Sequence, residues 1–427
     1  MRTPLLVVTG VDPVAMDATL MSLSWDLPDA VVVRHRIDPH SQVLTRTVSD
    51  ASGVLEQEHV QLEHACVGCA LREDILPTLE RLGRDGRWRT IVSGLPTSTE
   101  AGQLAHSLES DTRLARHLKL TTVVATLGST DLSRVLLGDD LLRERDLHTG
   151  PDDDRGVGEV ACAQLELADV VVVDGEVPDE ELALVRALVR PDADVVCAAT
   201  EVDGPSLTTR RRSPSVVRAW VSPELDTRIP ALDERTAGLA WRLDLCSPRP
   251  FHPERLLDQV ERLGSGPFRS RGSFWLPTRP DSLLEWSGAG GQLSIGGFGS
   301  WGRRTPVTRL VVTGLGSAPT ELTAAFQDIL LTPTEALLDQ RSWRVLEDGL
   351  EPWLGDIRDV DARLPQQADQ PCHRRIGGGI LLKHLVETLA HPLAHLGTGG
   401  DQRRGVWQSQ GGRNARLNLL RFGEPVG

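Results

Sequence analysis

Leu5-Leu-Val-Val-Thr-Gly10-Val-Asp-Pro-Val-Ala-Met-Asp-Ala-Thr19 reads as a strand that ends on a glycine turn and runs into a helix. The same alternation recurs downstream. Ala30–Val33, Thr90–Val92, Thr121–Ala125, Val170–Val173 and Val195–Cys197 are short, mostly β-branched apolar runs, as strands buried on both faces are. Between them Leu71–Leu82, Thr99–Leu118, Asp131–Arg145 and Asp179–Val189 carry helical spacing. The pattern predicts an α/β domain built on a doubly wound parallel sheet. Ligands are expected at the carboxyl ends of its strands.

Composition divides the chain. Only Trp25 and Trp88 are aromatic before residue 219, whereas fourteen aromatic residues follow from Trp220 onward. Two cores of different make-up are therefore expected, separated near the Pro/Ser/Arg stretch 204–215. The expected organisation is an α/β domain over residues 1–205, a linker over 206–240 and a smaller α+β domain over 241–360. A basic extension over 361–427 follows. The second domain reads strands at Arg271–Leu276, Gln292–Ile295 and Thr308–Thr313, then a helix at Thr320–Ile329. Arg210-Arg-Arg212 reads as a solvated part of the linker.

With 427 residues and a net charge of −14, the chain is not a general polyanion binder. The charge is uneven: residues 365–427 hold eight basic against four acidic residues. Arg403 to Arg421 carries five arginines around Trp407, a composition suited to stacking on unpaired RNA bases. No apolar stretch approaches the 18 residues of a membrane helix, and the first residues lack a signal peptide's long apolar region. Six scattered cysteines read as reduced thiols or metal ligands in a cytoplasmic protein.

The first turn stands where a phosphate-binding loop of a P-loop NTPase would. Such a loop needs glycines so that backbone N–H groups can wrap phosphate, a lysine for the β and γ phosphates, and a hydroxyl for Mg²⁺. After Gly10, however, Pro13 removes a donor and Ala15 replaces the second glycine. Met16 stands at the lysine position and Asp17 at the hydroxyl position. The chain's two lysines, Lys119 and Lys383, follow no glycine-rich loop. A guanine-reading Asn-Lys-x-Asp has no counterpart in Val170-Val-Val-Val-Asp174-Gly-Glu-Val177. The loop is a degenerate one, and no catalytic residue is assigned.

Glu63-His-Ala-Cys66-Val-Gly-Cys69-Ala-Leu-Arg-Glu-Asp74 carries the strongest local chemistry. Two residues between cysteines let both sulfurs face one cation on a tight turn that Gly68 relieves. Zn²⁺ takes four ligands; Cys66 and Cys69 supply two, and His64 or Glu63 can supply a third. A redox pair and two inert thiols are the alternatives. Cys372-His373 is the other adjacent Cys/His pair, and His384, His391 and His395 fall in one helix-like run. Cys162, Cys197 and Cys246 lie beside apolar runs and read as small core residues.

Cys66-Val-Gly-Cys69-Ala-Leu-Arg-Glu-Asp74 resembles the Cys-x-Cys-Cys-Thr-Leu-Arg-x-Asp segment of the CobW-type GTPases and metallochaperones, with Gly68 at the middle cysteine. Arg271-Gly-Ser-Phe-Trp-Leu-Pro-Thr-Arg-Pro280 with Trp286, and Trp301-Gly-Arg-Arg304 with Leu310-Val-Val-Thr-Gly314, are similar to that family's second domain. The resemblance covers about residues 1–345. It implies a zinc-linked GTPase fold with a CobW C-terminal domain, usually a metal insertase. Met16, Asp17, Ile91 and Val177 stand where the family has its lysine, hydroxyl residue, Mg²⁺-linked carboxylate and guanine-binding aspartate. In these departures the chain is similar to the nucleotide-deficient branch, the zinc-starvation factors that recruit a hibernation-promoting factor to ribosomes. That branch implies a non-hydrolysing, zinc-responsive protein whose partners are the ribosome and that factor. The alternative is a GTP-dependent zinc metallochaperone.

Overall fold

The computed structural model describes residues 2–222 and 229–357, together with the backbone of residues 380 and 381. Its first sheet takes eight strands: β1 (Thr3–Gly10), β2 (Ala30–Asp38), β3 (Val43–Asp50), β4 (Gly53–Gln61), β5 (Thr90–Gly94), β6 (Leu118–Gly128), β7 (Val170–Asp174) and β8 (Asp194–Val196). They are ordered β4-β3-β2-β5-β1-β6-β7-β8. The six strands from β2 to β8 are parallel, and β3 and β4 add an antiparallel hairpin at one edge. The hairpin went unread in the sequence because its residues are half-exposed and polar, without a continuous apolar run.

Period-2 alternation sends Leu5 and Val7 of β1 to one face of the sheet and Leu6 and Val8 to the other. Helices cover both faces: α1 (Pro13–Asp26), α2 (Val67–Ala70), α3 (Leu76–Asp85), α4 (Gly102–Ser110), α5 (Thr112–His117), α6 (Leu132–Leu137), α7 (Val157–Leu167), α8 (Asp179–Leu188), α9 (Gly204–Thr209) and α10 (Pro214–Val221). The single helix expected over Thr99–Leu118 is two. Asp111 ends α4 in an extended conformation and caps α5, accepting from Arg113 N at 2.8 Å. The helix expected over Asp131–Arg145 stops at Gly138, where a side chain would collide with the Arg134 carbonyl.

Six strands form the second sheet: β9 (Ala240–Ser247), β10 (Phe268–Leu276), β11 (Arg279–Ala289), β12 (Gln292–Ser300), β13 (Thr308–Leu315) and β14 (Ile380–Leu381). The order is β14-β12-β11-β10-β13-β9, antiparallel throughout. Two helices, α11 (Pro253–Gly264) and α12 (Thr320–Ile329), cover one face. There Phe251, Phe274, Trp286 and Phe326 interlock, with Phe251 edge-on to Phe326 at 5.6 Å between centroids. Part of the aromatic bias of the sequence is thus this packed cluster. The same alternation turns Arg269 and Arg271 of β10 to the opposite face, against α7 of the first domain.

Three expectations change. Arg212 is buried, not solvated: its Nε donates to Asp169 at 2.9 Å, and Asp169 also receives Arg190. Arg210 pairs with Asp194 at 2.7 Å. Of the cysteines read as core residues, Cys162 is fully buried, but Cys197 is half-buried and Cys246 is exposed on β9. Among the described residues no helix is long and apolar enough to cross a membrane.

Candidate functional site

The first turn is tight because β1 and β6 approach closely; a side chain at Gly10 would collide with Thr126 Oγ1. Asp12 then caps α1. Its Oδ1 accepts from Val14 N at 2.8 Å and from Ala15 N at 3.1 Å. Amides at a helix N-terminus are where a bound phosphate would sit. Here the chain's own carboxylate takes two of them, and Pro13 offers none. The other Asp12 oxygen lies against Gly128 of β6, where a Cβ would strike it. Met16 is 4% exposed and packs beneath Gly10. Asp17 faces β2 and pairs with Arg34 and, at 2.9 Å, with Arg36. Ile91 is fully buried in β5, and Val177 is half-buried beyond β7. Each residue at a motif position therefore has a packing or pairing role of its own.

Beside this turn, at the carboxyl ends of β1 and β6, lies a cleft of about 430 Å³. Asp12, Asp131, Arg134, Arg145 and Leu147 are among its lining. Arg134 Nε and Arg145 Nε both donate to Asp140, at 3.1 and 2.8 Å, so their charge is shared with that carboxylate.

The cysteine loop sits at the same edge of the sheet. β4 runs parallel to β2 through the antiparallel β3, so its last residue, Gln61, pairs with Val43 near the carboxyl end of β2. Four strand spacings separate β4 from β1, about 19 Å. Cys66 is the N-cap of α2 and its Sγ accepts Cys69 N–H at 3.3 Å. Cys69 is buried and its sulfur accepts from Arg72 at 3.6 Å, whereas Cys66 is half-buried and His64 is exposed. α2 continues through a π-turn at Leu71–Ile75 into α3. Wide turns of this kind re-aim side chains and recur at functional sites.

The π-turn directs Asp74 inward, where it meets His35 Nε2 at 3.0 Å and Arg46. Arg46 also reaches Thr78 at 3.1 Å and Glu58 at 2.6 Å. Burial works against the Asp74 charge, but the hydrogen bond and charge of His35, with Arg46, outweigh it and hold the carboxyl below its ordinary range. The loop bearing the cysteines is thereby fastened to β2 and β3.

Sequence reasoning missed His40 and His148, which no spacing connects to Cys66. Gly150 packs so closely on the Ala65 carbonyl that a Cβ would collide with it. His148, two residues earlier, is half-buried and edge-on to His40 at 6.0 Å. Among the described residues no three His, Cys, Asp or Glu side chains gather closely enough to hold a metal ion. Burial raises the Cys162 thiol to about 12, leaving it an inert core residue. Cys372-His373, His384, His391, His395 and the arginines of 401–427 lie outside the described residues.

Residues 241–330 match the cobalamin synthesis protein cobW C-terminal domain. The second domain is of the cobW C-terminal type. Over 419 residues the chain is 26% identical to a protein of Mycobacterium tuberculosis (strain ATCC 25618 / H37Rv) named a zinc chaperone, covering 87% of this chain and 95% of the relative. It is 23% identical over 282 residues to the zinc-regulated GTPase metalloprotein activator 1 of Dictyostelium discoideum, covering 60% of this chain and 57% of that one. A zinc-bound GTPase structure from E. coli, YjiA, covers 77% of this chain and 99% of its own at 14% identity. Its TM-score of 0.31 is too low to align individual residues. The family match lies within the second domain, and the similarity to the Mycobacterium tuberculosis relative spans both domains.

Proposed function

We propose that this chain is a CobW-type zinc chaperone that carries Zn²⁺ on Cys66 and Cys69 and hands it to a protein acceptor. The observation that carries this reading is the unequal burial of the cysteine pair, Cys69 anchored inside and Cys66 half-open, in a chain similar to a named zinc chaperone over nearly all of that protein's length. Two thiolates leave two of zinc's tetrahedral positions for other ligands. A closed four-ligand site retains its metal; a half-site with one accessible sulfur can pass the ion on by ligand exchange.

The first turn does not fit a Mg²⁺-bound triphosphate. Asp12 holds the helix amides, Met16 is apolar and buried, and Asp17, tied to Arg34 and Arg36, offers no hydroxyl for Mg²⁺. Zinc delivery is therefore assigned to the cysteine loop without nucleotide hydrolysis. GTP turnover above about 10⁻³ s⁻¹ that is abolished by changing Asp12 or Asp17 would overturn that assignment.

Recruitment of a ribosome hibernation-promoting factor is the second reading. The Asp12-filled turn favours it, because a recruiting protein needs no hydrolysis, whereas the relatives' names favour zinc delivery. One experiment separates the two. Protein loaded with one Zn²⁺ is mixed with a zinc-requiring apoenzyme and its reactivation followed. Chaperoning predicts reactivation faster than from an equal pool of chelator-buffered zinc, lost in the double Cys66→Ser, Cys69→Ser variant. Absence of transfer, together with co-sedimentation with ribosomes that falls on deleting 401–427, would move the function to the second reading.

A further inference from the structure

Between the two domains lies a small cavity of about 10 Å³, room for one particle the size of a water molecule. Its lining includes Glu166 of α7, Trp220 of α10, Arg242 of β9, and Arg269 and Arg271 of β10. Among these described residues three guanidiniums face one carboxylate. Arg269 grips Glu166 with two N–H groups, at 2.9 and 3.0 Å, and Arg271 Nε lies 3.2 Å from the same carboxylate. Arg242 has no carboxylate partner among the described residues: its Nη1 donates to Pro230 O at 2.9 Å and its Nη2 to the Ala187 carbonyl. Among the described residues, counting Glu159, the next acid along α7 that acts on Arg269, leaves one cation in excess.

Arg271 and Arg242 both attend the Trp220 ring, their guanidinium carbons 5.0 and 5.7 Å from its centroid. Two buried donors of residues on this lining, Arg242 Nε and Trp220 Nε1, have no hydrogen-bond acceptor among the described residues. Trp220 is 7% exposed. Burial, and then the neighbouring Arg271, lower the Arg242 pKa to about 10. Surplus buried charge and unpaired buried donors are each costly. One occupant relieves both.

We propose that this interdomain cavity binds a single monatomic anion, chloride in the cell, held by the N–H groups of Arg242 and Trp220 and by the charge of Arg271. Phosphate and sulfate are too large for the space. The site is separate from the cysteine loop and does not depend on the zinc reading. Seated between α7, α10 and the second sheet, the anion ties the two domains together.

The test is thermal melting of the full chain at fixed ionic strength while sodium gluconate is exchanged for sodium chloride. A rise on the order of 2–4 °C is expected at about ten times Kd, growing with the logarithm of the chloride concentration beyond it. Trp220→Phe, which keeps the ring but loses the N–H, should remove at least half of that rise. Arg242→Gln should remove all of it; should that variant fail to fold, Trp220→Phe carries the test. Crystals soaked in bromide should show one anomalous peak in the cavity. Equal melting in both salts, a chloride effect unchanged in Trp220→Phe, or a bromide-free cavity would each overturn the proposal.

Discussion

The first strand–helix turn and the Cys66–Cys69 loop share one edge of one sheet, and both place backbone amides at the start of a helix. They differ in what those amides meet. At the first turn Asp12 supplies the anion itself, Met16 fills the space below and Asp17 is tied to Arg34 and Arg36. At the cysteine loop the acceptor is the Cys66 sulfur, half open to solvent, and the rigidity comes from behind, through Asp74, His35 and Arg46. The first turn is occupied by the chain's own carboxylate, whereas the second presents a sulfur on a braced loop. Position at the carboxyl edge of an α/β sheet marks where chemistry can occur, and the side chains placed there decide what kind it can be.

The largest expected effect sharpens the open side of this contrast. Zinc content after dialysis should fall from one per chain to none when Cys66 and Cys69 are both replaced by serine, as read by elemental analysis. Affinity in the unmodified chain should weaken as pH falls, because ligation requires the thiolates and releases their protons. Full zinc retention in the double-serine protein would place the metal elsewhere and dissolve the comparison.

Next in size is the brace. Asp74→Ala should destabilise the first domain by about 3 kcal/mol, since it strips a buried carboxylate from Arg46 and His35, and denaturant unfolding measures this. The Asp74 carboxyl has its pKa depressed in the folded state. Its contribution is thus present above the unfolded value near 4 and lost as pH falls through the lower folded value. A loss well under 1 kcal/mol would mean that the loop does not depend on this network.

At the closed site, Asp12→Ala should cost only about 1 kcal/mol, the ordinary worth of an N-cap. The same variant frees the Val14 and Ala15 amides. Isothermal titration of GTP should nonetheless show no gain in binding, because the lysine and hydroxyl are still missing. Tight GTP binding by Asp12→Ala would show that one carboxylate alone had closed the site.

The smallest effect is that of metal removal on folding. The first domain has its own apolar core, so chelating zinc should lower its melting temperature by no more than a few degrees. Complete unfolding on chelation would recast the cysteine loop as a structural zinc site, since such sites fold only with metal.

Much of the architecture was legible in the chain because its signals are local. The six parallel strands announce themselves as β-branched runs, and the second core announces itself by aromatic content. The Cys-x-x-Cys spacing and the altered residues after Gly10 needed no structure to be noticed. The β3–β4 hairpin was not legible, because half-exposed polar strands carry little apolar pattern. Arg212 misled for a related reason: an arginine in a Pro/Ser stretch has no local sign that Asp169 waits for it from 43 residues away.

The sequence by itself determined which residue types stand at the first turn and at the Cys-x-x-Cys, since those depend on identity and short spacing. Only the tertiary structure decided what each of those side chains meets. The Asp12 cap depends on the exact backbone turn, the Asp74 brace on a π-turn meeting two other strands, and the three-arginine cavity on a second domain packed against α7. Each joins groups far apart in the chain. Burial then fixes whether a charge there is paired, displaced or left calling for a partner, and no one-dimensional spacing records that.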